Sequence, residues 1–334
     1  MSMYCTTRLV FISALCIGTL IAQQQRNFPQ PAPPREVTIT AIPGVIDAGA
    51  KWTIVFQSNE NADGIVGSPD GGLLFAQEQS SRINKLDENG KFSVFLTNGH
   101  GPGAVGIGPK GHIYAVERTC SDPGGKPDQC TEPTAISMLT PERKVLADSF
   151  MGKGLGRIND LVIDKKGGVY FTSGGAFYVS PSGQVSSIGE NLRTNGINLS
   201  RDEKTLYVTN GPVIMAFDVQ PDGSVKNQRE FGKLEAGGNG DGMAIDSEGR
   251  IYDATAPGIQ VFSPGGKYLG LIPTPRNGIS VAFSGPNKKT LYAVGNGAVG
   301  ADGKEITTPP GVRNTAMTIY KISMLSQGFK GRAK

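Results

Sequence analysis

Six repeated four-stranded β-units closed into a ring, an all-β six-bladed propeller sealed by an N-terminal strand, is the fold this sequence predicts. Three observations predict it: the glycine and proline content, one motif that recurs six times, and the spacing of its copies. Of 334 residues, 47 are Gly and 22 are Pro, so turns are frequent and long helices are excluded. With 38% apolar and 19% charged residues the chain is too hydrophobic for disorder, and glycine without a strict triplet excludes a collagen-like helix. What remains is a turn-rich globular chain long enough to bury a sizeable core.

The motif is a short apolar run, a turn, and a Leu-Tyr-like step into a second strand. Its copies read DGIVGSPDGGLLF from Asp63, GAVGIGPKGHIYA from Gly103, NDLVIDKKGGVYF from Asn159, NGINLSRDEKTLYV from Asn195, DGMAIDSEGRIYD from Asp241 and SVAFSGPNKKTLYA from Ser280. From each first residue to the Tyr position (Leu74, Tyr114, Tyr170, Tyr207, Tyr252, Tyr292) the count is 11, 11, 11, 12, 11 and 12. Most copies are followed by a second hairpin, such as INKLDENGKFSVF or IQVFSPGGKYLGL, so each unit supplies four short strands. The copies start 40, 56, 36, 46 and 39 residues apart, near the roughly 40 to 50 residues of a propeller blade. The sixth ends in Thr318 to Met324 and lacks its outermost strand. Either Val37 to Ile42 or Lys51 to Phe56 is expected to complete it and remove the open sheet edge. The propeller is expected over residues 37–324; a pair of β-sandwiches would leave six equivalent copies unexplained.

The ends read differently. Arg8 precedes an apolar run from Leu9 to Ala22, after which the chain turns polar at Gln23, the layout of an export signal over residues 1–22. That run is shorter than the roughly 20 residues of a membrane-spanning helix, so no span is expected in the mature chain. Residues 23–36 are Pro-rich and polar and read as a linker; residues 325–334 read as a polar, basic tail. Cys5 and Cys16 leave with the signal. Cys120 and Cys130 remain, in a segment dense in turn formers, and an even pair in an exported chain reads as a disulfide. A zinc site there would need two further soft ligands, and His100 and His112 are the only histidines.

In a propeller the first strand of each blade lines the central channel, so the six motif starts converge on one mouth. They supply two carboxylates, two carboxamides, one hydroxyl and, at Gly103, nothing. Taken singly, each Asn-Gly or Asp-Gly pair reads as a turn with glycine at positive φ. Taken together, convergent oxygen donors suit a hard divalent cation, calcium first, with magnesium or manganese accepting part of the set and zinc less favoured.

GRINDLVID (Gly156 to Asp164), TNGINLS (Thr194 to Ser200) and GDGMAIDSEGRIY (Gly240 to Tyr252) resemble the regucalcin/gluconolactonase family of six-bladed lactonases, a likeness that runs from about Trp52 to Met324. The resemblance implies hydrolysis of a cyclic ester at a divalent metal. It implies Asp63, Asn195 and Asp241 as metal ligands and Arg157 with Asn159 as substrate contacts. Asp63 departs from the pattern, because the family carries Glu at that point, one methylene longer. No counterpart of the acidic substrate residue of some members stands near Gly174 and Gly175. Asp241 is the expected catalytic carboxylate, taking a proton from the attacking water.

Other chemistries are poorly supplied. No Gly-x-Ser-x-Gly appears, and neither histidine stands in a triad context. His100, three residues before Gly103, could reach the channel mouth as a base or serve as a solvated turn residue. Glu78 and Glu117 end second strands and could support the site or face solvent; Trp52, the only Trp, is expected between blades. Net charge is +4 with 33 basic and 29 acidic residues interspersed, which points away from nucleic acid and anionic membranes. The expected partner is a small lactone or sugar-derived molecule, met by a monomer outside the cytoplasm. The alternative is a non-catalytic propeller that binds a ligand or protein at its mouth.

Overall fold

The fixed count within the motif becomes a fixed register. In the computed structural model, which describes residues 28–118 and 132–332, the Tyr-position residue of every unit pairs with a residue one or two places before the end of the strand before it. The pairs are Val66 with Leu74, Gly106 with Tyr114, Val162 with Tyr170, Asn198 with Tyr207, Ala244 with Tyr252 and Ala282 with Tyr292. Side chains alternate along a strand, so one shared register points all six of these residues the same way, into the gap between neighbouring blades. All six are buried there, Tyr170 and Tyr252 completely.

Each unit forms a four-stranded antiparallel sheet ordered from the channel outwards. The inner strands are Ile65–Gly67, Pro102–Ile107, Leu161–Ile163, Ile197–Leu199, Met243–Ile245 and Gly278–Ser284. Each inner strand touches the next and the sixth touches the first, so the six-bladed ring closes. The sixth sheet ends in Thr53–Ser58, paired antiparallel with Met317–Ser323. Lys51 to Phe56 therefore supplies the closing strand. Val37 to Ile42 instead places Ile39 and Ile42 into the wedge between blades five and six. A small extra hairpin, Ser149–Phe150 with Lys153–Gly154, lies in the longest interval between copies.

The core is six wedges, one between each pair of neighbouring blades. Full burial of one large apolar side chain contributes about 1.5–3 kcal/mol, and each wedge holds several. Trp52 packs edge-on to Tyr320 of the sixth blade and donates its indole N–H to Pro273 O of the fifth at 2.8 Å.

Glycine serves two purposes. In hairpin turns such as those at Gly90 (φ 83°) and Gly183 (φ 88°), it supplies the left-handed conformation. The glycines that follow the motif starts do not. Gly64, Gly196 and Gly242 are outside the positive-φ set, which corrects their reading as turn residues. A Cβ at Gly196 would stand 1.8 Å from Asp241 O, and one at Gly64 2.2 Å from Ala104 Cα. Near the axis the inner strands approach too closely for a side chain on these faces.

The described residues on both flanks of the repeat pack on the ring. Residues 28–35 cross the mouth where the motif starts gather: Arg35 donates to Thr274 O and Ala256 O, and Arg276 donates to Ala32 O. The tail covers the opposite end, where Phe329 N–H bonds Ile245 O and Arg332 reaches Asn198 and the carbonyls of Leu199 and Ser200. Residues 1–22, expected as an export signal, and Cys120 and Cys130, expected as a disulfide, lie outside the described residues.

Candidate active site at the channel mouth

The residue that opens each repeat sits just ahead of, or early in, an inner strand, half in the channel wall and half in its opening. Asp63, Asn159, Asn195 and Asp241 are all half-buried. Their backbones are fixed from the second strands. Asn195 N–H bonds Thr209 Oγ1 at 3.0 Å, Asp241 N–H bonds Asp253 Oδ1 at 3.1 Å, and Asp160 N–H bonds Thr172 Oγ1 at 3.2 Å. Thr172, Thr209 and Asp253 are wholly buried, so these anchors hold the rim in one conformation.

The carboxylates feel one another. Burial in the channel, then the charges of Asp63, Asp160 and Asp253, push Asp241 well above the usual carboxylate range. Asp63 is raised by burial, against the lowering effect of Arg118. Asp253 is also raised well above its ordinary value by burial, and its Oδ2 has no hydrogen-bond partner. Ionised together, these groups call for positive charge.

Part of that charge is built in. Arg118, 1% exposed, enters the mouth through the space that Gly103 leaves open. It donates to Glu78, to Ile158 O and to Asn159 O, and its Nη1 lies 3.7 Å from Asp63 Oδ2. Glu78 Oε1 also lies 3.5 Å from Nη2 of Arg157. One buried carboxylate thus links Arg118 to Arg157. Burial, then repulsion from Arg118, lowers the Arg157 pKa.

Above these residues lies a cavity of about 210 Å³, lined by Asp63, Arg157, Asn61 and Asn296, by Arg313 from the loop that precedes the strand Met317–Ser323, and by Phe28 from the N-terminal segment. Residues 107–295 match the family described as "SMP-30/Gluconolactonase/LRE-like region".

The chain belongs to this family.

A gluconolactonase of Zymomonas mobilis subsp. mobilis is 28% identical over 293 residues, covering 74% of this chain and 80% of that one. Among solved structures, a gluconolactonase of Xanthomonas campestris superposes with a TM-score of 0.64 at 19% identity, over 89% of this chain and 97% of that one. Regucalcin of Agrobacterium tumefaciens, described as a calcium-binding protein, gives 0.60 at 15% identity over 82% and 95%. At these identities the two structures support the fold alone.

In this SMP-30/gluconolactonase-family chain, Asp63 and Arg157 line the cavity, while Asn159, Asn195 and Asp241 stand just ahead of their inner strands and are not part of its lining. His100 is held elsewhere on the rim: its Nδ1 lies 3.0 Å from Glu132 Oε2 in a network with Arg143, which also grips Glu117 in a two-point pair. Glu78 and Glu117 are buried and paired with arginines rather than facing solvent. Among the described residues no group of three or more His, Cys, Asp or Glu forms a metal cluster by itself. A cation at the mouth would therefore rest on the two carboxylates Asp63 and Asp241 with the Asn195 carboxamide. The raised pKa of both carboxylates and the unpartnered Asp253 Oδ2 fit a hard cation.

Arg118, Asp253 and the roof residues Phe28 and Arg313 escape a reading of the sequence. The blank at Gly103 was the available signal for Arg118: five donors and one gap around an axis leave room for a side chain from elsewhere.

Proposed function

We propose that this protein hydrolyses a lactone, with a divalent cation, calcium first, held by Asp63, Asn195 and Asp241. The observation that carries the reading is the placement of those three residues, with Asn159, at the starts of inner strands around one channel, beside a cavity that Asp63 and Arg157 line. Membership of the family and the gluconolactonase relative support it. A bound cation supplies charge that polarises the ester carbonyl and acidifies water. The protein's residues do the rest. Arg157, set by Glu78, and Asn159, set by its backbone bond to Arg118, orient the substrate and face the oxygen that gains negative charge. Asp241 takes the proton of the attacking water as the new C–O bond forms. The ring C–O bond then breaks, and the proton passes to the departing ring oxygen, giving the open hydroxy acid.

The same reading places the mature protein outside the cytoplasm, supported by the apolar run Leu9 to Ala22 and by Cys120 and Cys130 in one turn-rich segment. Assay of a lactone panel after chelation and re-addition of calcium, magnesium, manganese or zinc tests the activity. Turnover restored by an ion and abolished in Asp241→Ala supports it. Turnover that survives in Asp241→Ala refutes the assignment, and an ion that binds without any turnover leaves a binding platform.

A further inference from the structure

The cavity over the channel mouth is not made by the blades alone. Two segments outside the repeat wall it: residues 28–31, through Phe28, Pro29 and Pro31, and the loop before Met317–Ser323, through Arg313, Asn314 and Thr315. They are tied to each other and to the ring. Thr308 N–H donates to Gln30 Oε1 at 3.0 Å, Asn314 Nδ2 donates to the same oxygen at 3.1 Å, and Arg276 bridges Ala32 O and Glu305. Asn314 also donates to Ile306 O and accepts from Ala316 N–H, so its side chain is spent on holding the loop. The wall is a built part of the site.

The charged side chains that line it are mostly cationic. The ionisable residues of the lining are one carboxylate, Asp63, and two guanidinium groups, Arg157 and Arg313. Asp63 already faces Arg118, and a cation at the mouth would offset it further. Glu78, which Arg157 reaches at 3.5 Å, is shared with Arg118. Among the described residues Arg313 has no ion pair or hydrogen bond, and the Asn296 carboxamide beside it has no hydrogen bond. Arg313 and Arg157 repel each other across the cavity, which contributes to the lowered Arg157 pKa. Like charges gathered at a pocket are stabilised when a ligand of opposite charge sits between them.

Resting on the lactonase reading, we propose that the substrate is a lactone carrying an anionic substituent, a carboxylate or a phosphate. Arg313 with Arg157 binds that group while the ester faces Asp63 at the channel mouth. Phe28 and the two prolines supply an apolar wall for the ring carbons, and the anion lies on the side of the cavity away from the acidic channel. Arg313 is thus a specificity-determining residue contributed by an insertion rather than by the repeat.

The test compares gluconolactone, glucarolactone and phosphogluconolactone in calcium, with the wild-type protein and Arg313→Met. The expected result is a higher kcat/KM for one or both anionic lactones than for the neutral one. That preference falls about 10- to 100-fold in Arg313→Met, mainly through KM, the size of a lost charge-assisted contact. Whichever of the carboxylate and phosphate compounds is preferred identifies the anion. Gluconolactone opened as well as both anionic compounds overturns the proposal and leaves the lactonase reading intact. If no lactone is opened, calorimetric binding of glucarate against gluconate decides separately. Tighter glucarate binding that Arg313→Met removes supports anion recognition, and equal binding overturns it.

Discussion

Arg118 occupies the space that Gly103 vacates: a Cβ on residue 103 would stand 2.1 Å from the Nε and Cζ of that guanidinium. The missing donor of the second blade and the buried cation of the site are therefore one feature. Gly103→Ala should expel Arg118 and leave Glu78 buried with only the more distant Arg157, a loss of up to about 3–5 kcal/mol for a broken buried pair. Arg118→Met should lose a similar amount. Combining the two should be far from additive, since each removes the same interaction. Urea unfolding of the two single variants and the double variant measures this, and an additive result would separate Gly103 from Arg118.

Gly196 and Gly90 are both glycines that precede or end short strands, yet replacing them should act differently. Alanine at Gly90 meets open space and costs only the left-handed conformation, about 1–2 kcal/mol. Alanine at Gly196 collides with the Asp241 carbonyl; overpacking costs about 1–3 kcal/mol, and the displaced backbone carries a proposed ligand. Calcium titration by calorimetry should show weakened binding in Gly196→Ala and wild-type binding in Gly90→Ala.

Lys288 sets a stability dependence on pH. Burial, then repulsion from Arg332 and Lys330, lowers its pKa to about 8, while its ammonium donates to Phe329 O and Arg332 O of the tail. The unfolded chain keeps that proton to about pH 10.4, so between pH 8 and 10 the unfolded state binds more protons and stability rises with pH. The unfolding free energy of the wild type minus that of Lys288→Met should therefore climb from pH 7 to 9.5, by at most about 1.4 kcal/mol per pH unit. A flat difference would mean that this lysine is solvated.

Removal of the proposed cation should cost stability as well as activity. The charge of Asp63 helps raise the Asp241 pKa, and a cation between them relieves that repulsion. Calcium at a hundred times its dissociation constant should add about 2.7 kcal/mol to the unfolding free energy. Thermal unfolding after chelation, then with calcium restored, reads this directly. Asp241→Ala should show no response to the ion.

Much of the ring was legible because a repeat is a geometric statement. The count to Leu74, Tyr114 and their equivalents specified the register, and the register specified which faces meet between blades. The gathering of Asp63, Asn159, Asn195 and Asp241 followed from their shared address in the repeat. What lay outside the repeat was illegible for the same reason. Arg118 stands one residue past a strand end and acts through a neighbouring blade's vacancy, which no periodic pattern records. Residues 28–35 look like a linker because proline and glutamine favour extended chain, and that stiffness lets the segment lie across the mouth, fixed by Arg276 and Thr308. The dipeptides Asn-Gly and Asp-Gly were ambiguous in composition; the neighbour behind Gly196 decides that packing, not a turn, requires the glycine.

The sixth blade takes three strands from one end of the chain and its fourth, Thr53–Ser58, from the other. Among the described residues, the first strand to be synthesised must then wait, unpaired and prone to mispairing, until Met317–Ser323 emerges. Ring completion is therefore a late, non-local step of folding. A circularly permuted chain, reopened in a loop between two blades so that all four strands of the sixth blade run consecutively, should reach the native ring sooner. It would lose the early-arriving strand that now latches the ring, and with that latch residues 28–35 and the segment around Phe329 and Arg332 would part from the two mouths they cover.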